Sequence, residues 1–348
     1  MSPSAHTETI PNPIHPSFIP QLDADFVEYY NKHLGTKKAT HAVSLSDIRA
    51  NSAKFANPWA RDFSDLHFVK DIKIASEDGY EFTARCYHPD PSTSPFGEGP
   101  YPVYINFHGG GYTLGDLTGD AQLCMLVRNR VGVMAMDVDY RLCPEHPMLK
   151  GHDDAWATVK WVYEHGKTIN ARGDSISVGG ISAGGTISAV VAQLARDAGI
   201  PLKLAFLGVP NTESHMWISR PEESSYQSMV SNALAPCLNW ARIEFFMKHY
   251  QPKTPEELWA LQARPAFYLN PIRGNLEGLC TTFIATASAD PLCDEGEAYG
   301  EKLIKAGVLT TVRRYTGVPH PFMHMSPVKK AVMYEDDMCN AIKLAHGA

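Results

Sequence analysis

Gly180-Ile181-Ser182-Ala183-Gly184 is a G-x-S-x-G pentapeptide. A serine hydroxyl turns nucleophilic only where it projects into a site and meets a general base. A strained strand-to-helix turn provides the projection, and flanking glycines leave room for the tight backbone. The helix that follows puts a free N–H beside any developing oxyanion. Alone the pentapeptide is weak, because with glycine near 7% of residues chance supplies one in roughly one chain in ten. Its setting is stronger: a short β-like run at 176–179 precedes it and a helical stretch of small residues at 183–198 follows.

A second glycine cluster, His108-Gly109-Gly110-Gly111, directly follows the apolar run 103–107. A phosphate cradle would need G-x-G-x-x-G or a following G-K-[ST], and neither is present. The alternative is an oxyanion loop in which the Gly109 and Gly110 N–H groups, with that of Ala183, face a carbonyl oxygen as charge develops. The base and its orienting acid should follow the serine, just past the C-terminal ends of later strands. Asp290, after the run 282–287, and His320, after 309–315, hold such positions. Asp294 and His324 lie about one turn further on and are the weaker choices. Asp294 reads as the N-cap of the helix 294–306.

Positioning these residues requires an ordered set of elements. Five prolines among residues 1–20 predict an extended arm. Helical spacing follows at 22–33 and from Ser44 or Ser46 to Phe55. Strand patterns occupy 69–75, 80–87 (after the Asp78-Gly79 turn), 103–107 and 133–138. From there strands (176–179, 204–209, 282–287, 309–315) alternate with helices (151–164, 183–198, 294–306, and one from about Pro327). An antiparallel start followed by β-α alternation implies an α/β fold, a mostly parallel sheet with helices on both faces. Residues 210–265 break the rhythm, with seven aromatics, helical patterns and no strand, as expected of an insertion over the sheet's edge.

Composition narrows the function classes. The chain has 348 residues, 44% of them hydrophobic and 20% charged, which is ordinary globular usage. A net charge of −7 disfavours nucleic acid and anionic membranes as partners. Seven scattered cysteines without a C-x-x-C pair read as free thiols, so neither a metal nor a redox cofactor is expected. There is no secretory pattern, no N-x-S/T acceptor and no membrane-length apolar run. The expectation is a cytoplasmic enzyme.

In order and spacing, these motifs resemble the hormone-sensitive-lipase family of α/β-hydrolase esterases. The matching pieces are His108–Gly111, Asp139-Tyr140-Arg141-Leu142-Cys143-Pro144-Glu145-His146-Pro147, Gly180–Gly185, Asp290-Pro291-Leu292-Cys293-Asp294-Glu295 and His320-Pro321-Phe322. They cover the chain from about Tyr80 onward. The resemblance implies an eight-stranded sheet with a helical cap, built from the N-terminal helices and an insertion before the acid-bearing loop. The expected divisions are 1–62 (arm and cap helices), 63–210 (core), 211–265 (cap insertion) and 266–348 (core). It further implies Ser182, Asp290 and His320 as the catalytic triad, Gly109, Gly110 and Ala183 as oxyanion donors, and 140–147 as a brace for the oxyanion loop.

Ile181 replaces the family's usual Asp before the nucleophile, and Cys143 and Cys293 stand where Ala and Arg are common. Relatives that act as receptors lose the histidine, which this chain keeps. The expected activity is a serine carboxylesterase acting on small to medium soluble esters. Deacylase, lactonase, amidase, non-hydrolytic and ligand-binding members of the fold are the alternatives, and a homodimer is left open.

Overall fold

A computed structural model describes residues 11–55, 67–326 and 328–348. Eight strands form one sheet in the order β1-β2-β4-β3-β5-β6-β7-β8. β1 (Val69–Ala75), β2 (Glu81–Tyr87) and β4 (Met134–Val138) pair antiparallel in succession. β3 (Tyr101–Phe107), β5 (Ala171–Ile181), β6 (Leu202–Gly208), β7 (Thr281–Ala289) and β8 (Thr310–Pro319) make every remaining pairing parallel. The central strands are buried along their whole length in β3 and β4, as a sheet covered on both faces demands.

Alternate residues feed two separate cores. Val103, Ile105 and Phe107 of β3 pack on one face with Ile176 and Val178 of β5. Tyr104 of β3 and Ala135 of β4 pack on the other. The first core is closed by α5 (Lys150–His165), α6 (Ala183–Asp197) and α10 (Cys293–Lys305). The second is closed by α4 (Ala121–Val131) and α11 (Lys329–His346). The sequence pattern missed α4: eight of its eleven residues are buried, leaving no polar face to set a helical period.

The N-terminal helices pack on elements formed later in the chain. α1 (Ala24–His33) buries Phe26, Tyr29 and Tyr30 in the second core, and Asp23 N–H donates to Gly317 O at 2.8 Å, beside the end of β8. The described part of the expected arm packs on the core, since Ile14 and Phe18 are buried. The helix expected from Ser44 to Phe55 is two, α2 (Leu45–Ala50) and α3 (Ser52–Phe55), parted at Asn51, and Ser44 caps the first by accepting from Asp47 N–H at 3.1 Å. The expected division at 62/63 and the helix start at Pro327 lie outside the described residues.

Between β6 and β7 the chain forms α7 (Gln227–Ser231), α8 (Trp240–Tyr250) and α9 (Pro255–Gln262), with no strand. Residues 234–239, Arg242 and Phe246 of this stretch line a cavity at the C-terminal end of β5, where the strand gives way to Ser182. No helix among the described residues is long and apolar enough to cross a membrane.

Candidate active site

Ser182 stands alone between β5 and α6 with φ +57 and ψ −119, a left-handed conformation that costs a non-glycine residue energy unless its surroundings enforce it. The enforcement is visible. Ser182 N–H donates to Gly208 O at 2.7 Å, and its carbonyl accepts from Thr186 N–H at 3.0 Å. A Cβ at Gly180 would fall 2.1 Å from Phe107 O, and one at Gly184 only 1.8 Å from it. Both motif glycines are therefore required by the approach of β3 to the turn. Ala183 is the first residue of α6, so its N–H has no acceptor within the helix.

The loop after β3 carries the second glycine cluster. Gly110 (φ +126) and Gly111 (φ +58) take backbone conformations that favour glycine. A Cβ on Gly110 would strike Leu114 O at 2.1 Å. Gly110 O accepts from Leu114 N–H at 2.9 Å, which turns the carbonyl into the loop. Residues 140–147 hold the loop from behind. Tyr140 donates its hydroxyl to His108 O at 2.7 Å and stacks on the His108 ring at 4.2 Å, while Cys143 N–H donates to Tyr112 O at 2.8 Å. Arg141, nearly buried, binds the fully buried Asp154 (2.6 Å) and Asp78 (2.8 Å), anchoring the brace to α5 and to the β1–β2 turn.

Asp290 follows the last residue of β7 and His320 the last of β8. Both are buried, and His320 Nδ1 lies 2.9 Å from Asp290 Oδ2. A carboxylate can only accept, so Nδ1 carries a proton, and in the neutral ring the lone pair is on Nε2. The other carboxylate oxygen accepts from Leu292 N–H at 2.9 Å, and Asn232 donates its side-chain amide to Asp290 O at 3.0 Å. Asn232 had no sequence signal, since no motif marks it within the insertion. Asp294 is not the N-cap: α10 begins at Cys293, and Asp294 Oδ2 accepts from Ser228 N–H at 2.8 Å. His324 pairs elsewhere, its Nε2 2.7 Å from Asp120 Oδ1. The Cys293 thiol is pushed up to about 12, first by burial and then by Glu297, and is inert as a nucleophile near neutral pH.

Ser182, His320, Gly109 and Gly110 all line one cavity of about 1230 Å³. Of the seven aromatics in the insertion, Phe246 lines it; its ring lies 2.5 Å from where a Gly111 Cβ would sit. Trp217 and Trp259 are instead 63% and 65% exposed, so they form neither pocket nor core.

Fold and site together define a class, the ester-hydrolysing enzymes built on this sheet. The sequence pattern of the α/β hydrolase fold matches residues 104–324. An AB hydrolase superfamily protein of Schizosaccharomyces pombe is 31% identical over 350 residues, covering 97% of this chain and 98% of that protein. Esterase LipI of Mycobacterium tuberculosis is 38% identical over 231 residues, 66% of this chain and 68% of its own. Among solved structures, an esterase of Pyrobaculum calidifontis matches with a TM-score of 0.76 at 27% identity, covering 92% of this chain and 98% of that one. The chain belongs to the α/β hydrolase fold family, in the hormone-sensitive-lipase-like branch its motifs resemble.

Proposed function

We propose that the chain is a serine carboxylesterase that cleaves small to medium esters through an acyl-enzyme on Ser182. The observation that carries this reading is the buried Asp290–His320 hydrogen bond at 2.9 Å, backing an imidazole that shares its cavity with Ser182 and the glycine loop. In the proposed reaction His320 Nε2 takes the Ser182 proton as Oγ attacks the carbonyl carbon. Asp290 holds the tautomer and stabilises the imidazolium. The N–H groups of Gly109, Gly110 and Ala183 receive the oxyanion, each such donor being worth about 3 kcal/mol of barrier. The alcohol leaves with the proton from His320, and water then releases the acid with His320 again as base. The insertion 211–265 and the N-terminal helices act as the cap that shapes the substrate pocket. A cytoplasmic location is part of the reading and rests on composition.

A fluorophosphonate probe tests it directly. Wild-type protein should be labelled at Ser182 and should hydrolyse p-nitrophenyl butyrate, and Ser182→Ala should do neither while remaining folded by circular dichroism. Folded wild-type protein that forms no Ser182 adduct would sink the proposal. Matched amide and lactone substrates in the same assay rank the other bonds this triad could open.

A further inference from the structure

The cavity above Ser182 is lined by a cation for which the described residues supply no counter-ion. Arg242, in the first turn of α8, is half-buried and lines the cavity. One of its amino groups donates to Cys237 O at 3.0 Å, and its guanidinium lies 5.6 Å from the centre of the Phe246 ring. No carboxylate among the described residues pairs with it. Its titratable neighbours do not supply a negative charge either. Burial pushes the Cys237 thiol up to about 12 and raises the Tyr30 phenol above its ordinary value, so both stay neutral. His41 is held below its usual value by burial and by Arg242 itself, and is neutral as well.

Two carboxylates lining the same cavity have partners of their own: Glu145 binds Arg49 at 2.6 Å, and Asp116 accepts from Thr118 N–H at 2.8 Å. A third, Asp139, is exposed at the end of β4. An arginine in a half-buried site is normally matched by a carboxylate, because its planar fork suits bidentate pairing and an unpaired charge is costly to desolvate. Among the described residues no such carboxylate meets Arg242, and its side chain lines the substrate space. The N-terminus of α8, whose Leu238 and Asn239 also line the cavity, adds positive potential of the same sign.

Phe246 links Arg242 to the glycine loop. Its ring packs on Gly111, and the Arg242 guanidinium lies 5.6 Å from the centre of the same ring, so the cation stands in the cavity that the loop and Ser182 also line. Resting on the hydrolase reading above, we propose that Arg242 binds a carboxylate carried by the ester substrate, making the preferred substrate class esters with a free acid group several bonds from the scissile carbonyl.

Matched pairs of esters test this. p-Nitrophenyl hemiadipate against p-nitrophenyl hexanoate places the acid on the acyl side. 4-Carboxyphenyl butyrate against its methyl ester places it on the alcohol side. A charge-assisted hydrogen-bonded pair is worth roughly tenfold to a hundredfold in affinity. In Arg242→Met, the acid-to-neutral ratio of kcat/KM should therefore fall at least tenfold for one of the two pairs, mostly through KM, and Arg242→Lys should recover part of it. The arm that responds shows which side carries the acid.

An unchanged ratio in both pairs overturns the proposal. So does an equal fall for acid and neutral esters, which would mean that Arg242 only holds the turn at Cys237. Titration of adipate monomethyl ester into Ser182→Ala by calorimetry reads the site without turnover. Binding weakened at least tenfold by adding Arg242→Met supports the proposal, and unaffected binding overturns it. Neutral esters that wild-type enzyme fails to hydrolyse would count against the esterase reading alone.

Discussion

The role assigned to Asp290 can be tested by a change of one atom. Asp290→Asn is nearly isosteric, so the fold should survive, and its effect follows from two hydrogen bonds. Asp290 Oδ1 accepts from Leu292 N–H and Oδ2 meets His320 Nδ1, each at 2.9 Å. An asparagine can keep its oxygen on Leu292 and turn its NH2 toward His320. The reverse puts NH2 against the Leu292 N–H, two donors facing each other in a fully buried spot. Leaving buried donors unpaired costs about 1–3 kcal/mol, so the first orientation prevails.

The NH2 then donates to Nδ1, and the neutral imidazole must carry its proton on Nε2. That nitrogen can no longer accept the Ser182 proton. The wrong tautomer at a serine–histidine pair lowers kcat by about 10⁴, or roughly 5 kcal/mol of barrier. The assay is kcat for p-nitrophenyl butyrate together with the rate of fluorophosphonate labelling at Ser182. Both should fall in parallel while the circular dichroism spectrum is unchanged. Asp294→Asn is the control, since Asp294 Oδ2 accepts from Ser228 N–H and an asparagine oxygen accepts equally well. An Asp290→Asn enzyme keeping more than about a tenth of wild-type kcat, or an Asp294→Asn enzyme taking the loss instead, refutes the reasoning.

Three further outcomes concern the scaffold. Arg141→Met strips the counter-ion from the fully buried Asp154 and should cost about 3–5 kcal/mol in urea unfolding; a loss under 1 kcal/mol would show that the brace is not held by this pair. Gly184→Ala sets a methyl 1.8 Å from Phe107 O, which should cost about 3 kcal/mol or more and leave little soluble protein. An exposed change such as Leu344→Ala should leave yield intact. Asp137 is fully buried, hydrogen-bonded to Asn106 at 2.9 Å, and pushed up to about 8 by burial and then by the nearby Asp120 carboxylate. For a carboxyl raised in the folded state, the native form holds more protons than the unfolded one between the two values. Its contribution is greatest below pH 4 and is lost as pH rises toward 8. Asp137→Asn should therefore raise Tm at pH 8 by more than at pH 5, and an equal shift at both values contradicts the assignment.

What the sequence revealed and what it hid divide along a physical line. The four loops that carry the site could be read because the residues their packing demands are of types that stand out in the sequence. Gly180 and Gly184 are excluded from bearing a side chain by Phe107 O, and Gly110 by Leu114 O. Asp290 and His320 each stand one residue past a strand, β7 and β8, whose pattern in the sequence ends only a few residues earlier. The misses depend on partners distant in sequence. α4 is covered on its outer side by α11, which erased the polar stripe that would have betrayed it. Asp294 looked like a cap, but the Asp290 side chain already takes the Leu292 N–H and starts α10 one residue earlier, freeing Asp294 to reach Ser228. Asn232 and Arg242 owe their placement wholly to the turn and helix that carry them, in a stretch whose helical patterns did not say which side chains face the site.

The same distinction explains how a strained serine persists at the centre of this fold. Ser182 holds a conformation worth of order 1–3 kcal/mol of strain, and no residue within the pentapeptide can repay that locally. The compensation comes from outside: Gly208 O takes the Ser182 N–H, and β3 packs so close that only glycine fits at 180 and 184. β3 is itself fixed at this same end, where Tyr140 holds His108 O and Arg141 ties its own segment to Asp154. Loosening that brace should therefore reach the elbow through β3 and the glycine loop. Tyr140→Phe removes one buried hydrogen bond and leaves a carbonyl unpaired, costing about 1–3 kcal/mol. If the loop is the element it stabilises, part of that loss will appear in kcat for p-nitrophenyl butyrate with KM nearly constant. A Tyr140→Phe enzyme that loses stability alone, with kcat unmoved, would show that the loop keeps its geometry without the brace.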